Sequence, residues 1–367
     1  MEELTRRALN RATLARQMLL RREARTAEQA VHHLVGMQAQ NPQPPYVGLW
    51  TRLEGFRPDE LSQLLLDRKV VRIAVMRGTV HLVTADDCLR LRPVVQSIYD
   101  RELATSTTYA AALRGLDLDA VAAAGRDLLD EQHHTPQELG KLLAERWPES
   151  EPSALAHAIR GKVPLVQVPP RGLWGASGRT TYATAERWLG RPVDPDPSPD
   201  EMVLRYLAAF GPASVMDAQA WSGLTRLGEI FERLRPRLVT FRDEGGRELF
   251  DLPEAPRPDP DTNAPVRFLP EFDNVLMAHA DRTRFATEED RRRLVTPNGV
   301  MPGYLFVDGF LRGTWKIARQ RGAATLVVRP FRALSKRAAA TVTNEGGRLL
   351  RFAAADASHD VEVVPPD

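Results

Sequence analysis

The chain has 367 residues, with 50 basic and 48 acidic side chains and a formal net charge of +2, so the whole molecule is not a polycation. An apolar fraction of 43% and a charged fraction of 27% fit a soluble globular protein of two or three domains. No run of eighteen apolar residues occurs, no signal-peptide core follows Met1-Glu2-Glu3-Leu4, and Cys88 is the single cysteine. These features predict a cytoplasmic protein without membrane contact, internal disulfide or cysteine-rich zinc site.

Helices are predicted over Arg6 to Arg21 and Ala27 to Val35, the second carrying an apolar stripe at Ala30, Val31, Leu34 and Val35. Gln38-Ala39-Gln40 closes that run, and Asn41-Pro42-Gln43-Pro44-Pro45 stops any helix from continuing. The sequence thereby predicts two uncharged amides at a helix end. An amide orients water through its carbonyl and NH2 groups but is a very poor base. A catalytic role for Gln38 and Gln40 therefore requires a leaving group that is already activated; satisfying backbone groups at the helix end is the other reading of the same spacing.

A third helix over Asp59 to Asp67 and a strand pair from Val70 to Thr84, folded about Arg77-Gly78, complete a winged-helix pattern. The same order returns with helices near Leu118 to Glu131, Pro136 to Arg146 and Pro152 to Gly161, and a wing built from Leu165 to Val168 and Leu173 to Ser177. Beyond the Pro/Asp linker at Arg191 to Pro199, Glu201 to Phe210, Ser214 to Trp221 and Arg226 to Leu234 predict a helix-turn-helix, with Leu238 to Arg242 in its wing. After a second Pro-rich linker the pattern turns to strands: a hairpin about Asp308-Gly309, then Ala324 to Val328, Ala339 to Thr343 and Val361 to Val364. The expected fold is α+β, with winged-helix units over 1–110, 111–190 and 198–252 and a barrel-like β-rich domain over 263–367.

Of the 50 basic residues only five are lysine. Arginine suits bidentate phosphate contacts, and a GC-rich genome produces the same bias. Lys316-Ile317-Ala318-Arg319-Gln320-Arg321-Gly322 alternates toward a basic hairpin tip, which makes Lys316, Arg319, Gln320 and Arg321 the candidate DNA contacts. Phosphate-binding glycine loops, HExxH and GxSxG motifs are all missing, and neither metal nor organic cofactor is expected.

Several segments together resemble the AlkZ/YcaQ-type bacterial DNA glycosylases: Leu34-Val35-Gly36-Met37-Gln38-Ala39-Gln40, Met76-Arg77-Gly78-Thr79-Val80-His81-Leu82, Leu269-Pro270-Glu271-Phe272-Asp273-Asn274-Val275-Leu276, His279-Ala280-Asp281-Arg282, and Val307-Asp308-Gly309 with Gly313-Thr314-Trp315. The resemblance implies hydrolysis of the N-glycosidic bond of N7-alkylated purines, including bulky adducts and interstrand crosslinks, in double-stranded DNA. Members divide by Gln or Asp at the second motif position, and Gln40 is similar to the branch linked to self-resistance in antibiotic producers. Carried over by position, Gln38 and Gln40 become the catalytic pair that positions water. Arg77, Thr79, His81, Asp273 and His279 follow as auxiliary positions, Asp273 as a carboxylate facing the developing sugar cation. A monomer is expected. Two other readings remain open at this point: a non-enzymatic winged-helix transcriptional regulator and a protein that sequesters a genotoxin.

Overall fold

The computed structural model describes residues 2–294 and 301–366. Helices and three sheets alternate along the chain, so the architecture is mixed α and β. The first helix, Arg6–Arg16, starts where the Thr5 hydroxyl accepts a hydrogen bond from the Ala8 N–H. Its buried face sets polar groups beside Leu9, Ala12 and Leu14: Asn10 donates to the carbonyls of Arg284 and Gly309, Gln17 just beyond it donates to that of Ala209, and Arg16 forms a bidentate pair with Asp251. Each partner lies some 190 residues or more away in sequence, so this helix rivets the middle of the chain to its C-terminal sheet. Gly309 is required at that joint, because a Cβ there would sit 2.6 Å from both Asn10 and Arg11.

The next helix, Ala27–His33, carries a full capping box between Thr26 and Gln29. It stops two residues before the expected Val35, because Val35 and Gly36 both take positive φ, 54° and 91°. Met37–Gln38 then forms a short strand, so the glutamines do not close a helix as the sequence pattern suggested. Pro44 and Pro45, read as helix stoppers, also begin a helix, Pro44–Trp50, where proline fits the first turn.

Five antiparallel strands make the sheet that carries the motif, in the order Met37–Gln38, Val80–Thr84, Val70–Ala74, Leu165–Gln167, Tyr182–Thr184. The two expected wings are thus one continuous sheet, joined where Ile73 pairs with Val166. The return strand of the second is Tyr182–Thr184 rather than Leu173 to Ser177, which lies in irregular backbone. Helices Leu118–Glu131, Pro136–Arg146 and Pro152–Lys162 pack around Val121, Leu139, Leu155 and Ile159.

Further on, helices Pro199–Phe210, Val215–Ser222 and Gly228–Leu234 precede the strands Val239–Asp243 and Glu248–Asp251, with Glu3–Leu4 added in parallel at the edge. The core of this region continues directly into the first sheet through Met76, Val83 and Ile98. Cys88 lies inside it, fully buried, and burial pushes its thiol pKa well above the usual range.

The C-terminal sheet has the order Ser358–Val363, Ala323–Pro330, Phe310–Gln320, Gly303–Val307, Arg267–Leu269. Its two outer strands do not meet, so the sheet is open and the barrel-like expectation is corrected. Ala339 to Thr343, expected as a strand, lies inside the helix Lys336–Ala353, which buries Val342, Gly346, Leu349, Leu350 and Ala353 on one face. That helix fills the face that a closing barrel would have had to bury.

Candidate active site

Gln38 is held from three sides. Its strand pairs with Val80–Thr84, placing Gln38 opposite His81, and Ala39 extends the contact by donating its N–H to the Val80 carbonyl at 2.8 Å. Only 7% of Gln38 is exposed, whereas Gln40, two residues on, is exposed. The buried Arg72 guanidinium donates to the carbonyl of the intervening Ala39 at 2.7 Å. Asn274 donates to the Gly36 carbonyl at 2.7 Å, which fixes the start of the same segment.

Arg77 orients the Gln38 side chain. Its Nη2 donates to Gln38 Oε1 at 2.8 Å, and its Nη1 donates to the backbone carbonyl of Trp221. A guanidinium has no acceptor, so the amide must present its oxygen to Arg77 and turn its NH2 elsewhere. Burial, with Arg282 nearby, pulls the Arg77 pKa down to about 10, which leaves it cationic at neutral pH. Arg77 itself has φ of 55°, and Gly223 packs so closely that a Cβ there would lie 2.9 Å from the Arg77 Cα. The segment at Trp221 and Gly223 therefore locks the Gln38 amide through one side chain.

A pocket of about 670 Å³ opens over this arrangement, lined by Gln38, Gln40, Asn41, Pro42, Arg77, Thr79, Arg171, Phe272 and Met277. Phe272 also has positive φ, 57°, so left-handed residues bend three of the segments that meet here. The lining contains two guanidiniums and, among the described residues, no carboxylate. Asn41 connects it to a larger groove of about 1170 Å³. Trp174, Phe352, Lys316, Arg319, Gln320 and Arg321 are among the residues that line that groove. These four hairpin residues are exposed, at the end where Gln320 pairs with Ala323 across a two-residue turn. Arg321 and Gly322 take φ of 34° and 83° there, both positive as a tight hairpin demands.

The remaining expected residues separate into two groups. Thr79 lines the pocket, and His81 lies behind it, 2% exposed, with Nδ1 donating to the Thr79 carbonyl at 2.8 Å. Burial, then the Arg77 charge, lowers the His81 pKa to about 3, so the ring is neutral. Asp273 and His279 are outside the pocket lining. Asp273 is 4% exposed, with both oxygens taken by Arg52 at 2.8 Å each, and it caps the helix Asn274–Met277. His279 is fully buried against the Phe210 carbonyl at 3.1 Å, and burial followed by Arg284 lowers its pKa to about 3. Neither lines the pocket. Sequence reasoning missed Asn41, Arg171, Phe272 and Met277; only Phe272 carried a signal, within a segment already marked by resemblance.

Among the described residues, no group of three or more His, Cys, Asp or Glu side chains converges on a metal site. No helix among the described residues is long and apolar enough to cross a membrane.

The family described as DNA glycosylase AlkZ-like matches residues 31–352. The chain belongs to the AlkZ-like DNA glycosylase family. A curated relative from Streptomyces sahachiroi, named interstrand DNA cross-link repair glycosylase, is 25% identical over 341 residues, covering 87% of this chain and 88% of the relative. The solved structure of the Streptomyces sahachiroi DNA glycosylase AlkZ has the same fold, with a TM-score of 0.82 at 21% identity, covering 99% of this chain and all of that one. This AlkZ-like protein is thus a DNA glycosylase, an enzyme that hydrolyses N-glycosyl bonds, and the reading as a transcriptional regulator falls.

Proposed function

We propose that this glycosylase releases N7-alkylated purines from double-stranded DNA, including bulky genotoxin adducts and interstrand crosslinks, with Gln38 and Gln40 positioning the attacking water. The observation that carries the reading is the Gln38 amide clamped by Arg77 at the floor of an open pocket, with Gln40 at its rim. Alkylation at N7 places a positive charge on guanine, so the base departs as a neutral molecule and needs little acid catalysis. The remaining work is to hold water against C1′ and to tolerate positive charge on the sugar. Two amides suffice for an activated leaving group. An intact nucleoside would also need the general base, worth roughly 10²- to 10⁴-fold in rate.

The bound DNA would be gripped by three winged-helix units, 1–110, 111–190 and 198–252, and by the basic hairpin tip of the unit over 263–367. A bulky N7 adduct projects into the major groove, and the open pocket and its continuous groove suit an enzyme that works without drawing the adduct into a closed cavity. The test uses one duplex with N7-methylguanine and one with an N7-linked interstrand crosslink, scored for alkali-labile abasic sites. Wild type should produce them, while folded Gln38→Ala and Gln40→Ala variants should each lose roughly 10²-fold or more in rate. Release of unmodified guanine, or full activity in either variant, would overturn the assignment.

A further inference from the structure

A pocket for a cationic base would be expected to present carboxylates. This one presents Arg77 and Arg171 instead. Behind them lies Arg72, 1% exposed, whose Nε and Nη1 have no hydrogen-bond partner and whose Nη2 meets only the Ala39 carbonyl. Arg171 spends Nη1 on the Gly178 carbonyl at 3.1 Å, and its buried Nε is also without a partner. Among the described residues, none of the three arginines pairs with a carboxylate. Their separation is small enough for the Arg171 charge to weigh against that of Arg72. Gly172 permits the approach, since φ there is +110° and a Cβ would lie 3.0 Å from Arg72 Cδ.

A buried cation without counter-charge is costly, and a bound anion can supply that charge. An alkylated nucleotide offers one candidate: its base is cationic and its sugar neutral, while its phosphodiesters are anionic. We infer that Arg171, with Arg72 behind it, binds a backbone phosphate flanking the alkylated nucleotide. This rests on the pocket being the seat of that nucleotide, as proposed above. The held phosphate would place a negative charge beside the sugar as it develops positive charge, a duty for which the lining has no carboxylate. It would also fix C1′ relative to the two glutamines, which carry no charge with which to attract DNA themselves.

The experiment measures binding to a duplex whose N7-methylguanine carries a 2′-fluoro sugar that resists hydrolysis. Wild type, Arg171→Gln and Arg171→Lys are titrated across salt concentrations, and again with a neutral methylphosphonate replacing either phosphate that flanks the lesion. Loss of one phosphate contact should lower the slope of log affinity against log salt by about 0.9 in Arg171→Gln, with Arg171→Lys retaining most of it. One of the two methylphosphonates should weaken wild-type binding about tenfold or more, and should cost Arg171→Gln much less. Equal losses in both proteins at both positions, or an unchanged salt slope, would overturn the phosphate site. If wild type releases no base from either the N7-methylguanine or the crosslinked duplex while this coupling is seen, the chemistry proposed above fails and the phosphate site stands.

Discussion

Two arginine clusters in this molecule are built on opposite terms. Around the first helix and the segment at Asp273, the guanidiniums of Arg16 and Arg52 meet Asp251 and Asp273 in bidentate pairs, with all four side chains essentially sealed from solvent. Around the glutamine pocket, Arg72, Arg77 and Arg171 meet carbonyl oxygens and the Gln38 amide, but no acid among the described residues. The first arrangement is complete within the protein and holds it together. The second is complete only when something anionic arrives. Arginine content alone does not separate scaffold from site in such a chain.

That contrast breaks first at Asp273. Asp273→Ala leaves Arg52 charged, buried and alone, which should cost about 3–5 kcal/mol of stability in denaturant unfolding, while the folded fraction keeps its rate of base release. A variant of normal stability with abolished catalysis would move Asp273 into the site. Arg77→Met tests the other cluster. Losing the charged hydrogen bond to Gln38 should remove about 1.5–3 kcal/mol of positioning, roughly tenfold to a hundredfold in single-turnover rate, with little change in DNA affinity. A loss confined to affinity would make Arg77 a DNA contact alone. The smallest effect is expected from pH in the assay range. His81 and His279 titrate near 3 in the fold, below the ordinary value of about 6.5. Their neutral burial therefore contributes fully above that value, and stability is lost as pH falls from there toward 3. The rate of base release should show no histidine step between about pH 6 and 8, and a step that vanishes in His81→Gln would bring that ring into the chemistry.

Local signals were legible where short-range physics decides. Pro136–Arg146 and Pro152–Lys162 announce themselves by proline in the first turn and an apolar stripe, and Asp308-Gly309 by turn chemistry. What escaped was long-range or in conflict with local propensity. Thr341, Val342 and Thr343 favour strand locally, yet they sit in a helix because Val342, Gly346, Leu349 and Leu350 together cover the open sheet. The return strand Tyr182–Thr184 lies some fifteen residues beyond its partner, past a loop that no turn signal spans. At the site, the Gln-x-Gln pair was visible by resemblance, but its setting was not. Arg171 reaches the pocket only because Leu165–Gln167 joins the sheet of the first unit, a pairing with Val70–Ala74 that no local pattern encodes.

Cys88 has a bearing on the conditions under which such an enzyme works. Alkylating agents attack soft nucleophiles, and thiolates are among the first protein groups they consume. The one thiol in this chain lies wholly inside the core and is held in its protonated form. The chain thus exposes no sulfhydryl to an electrophile that reaches its surface.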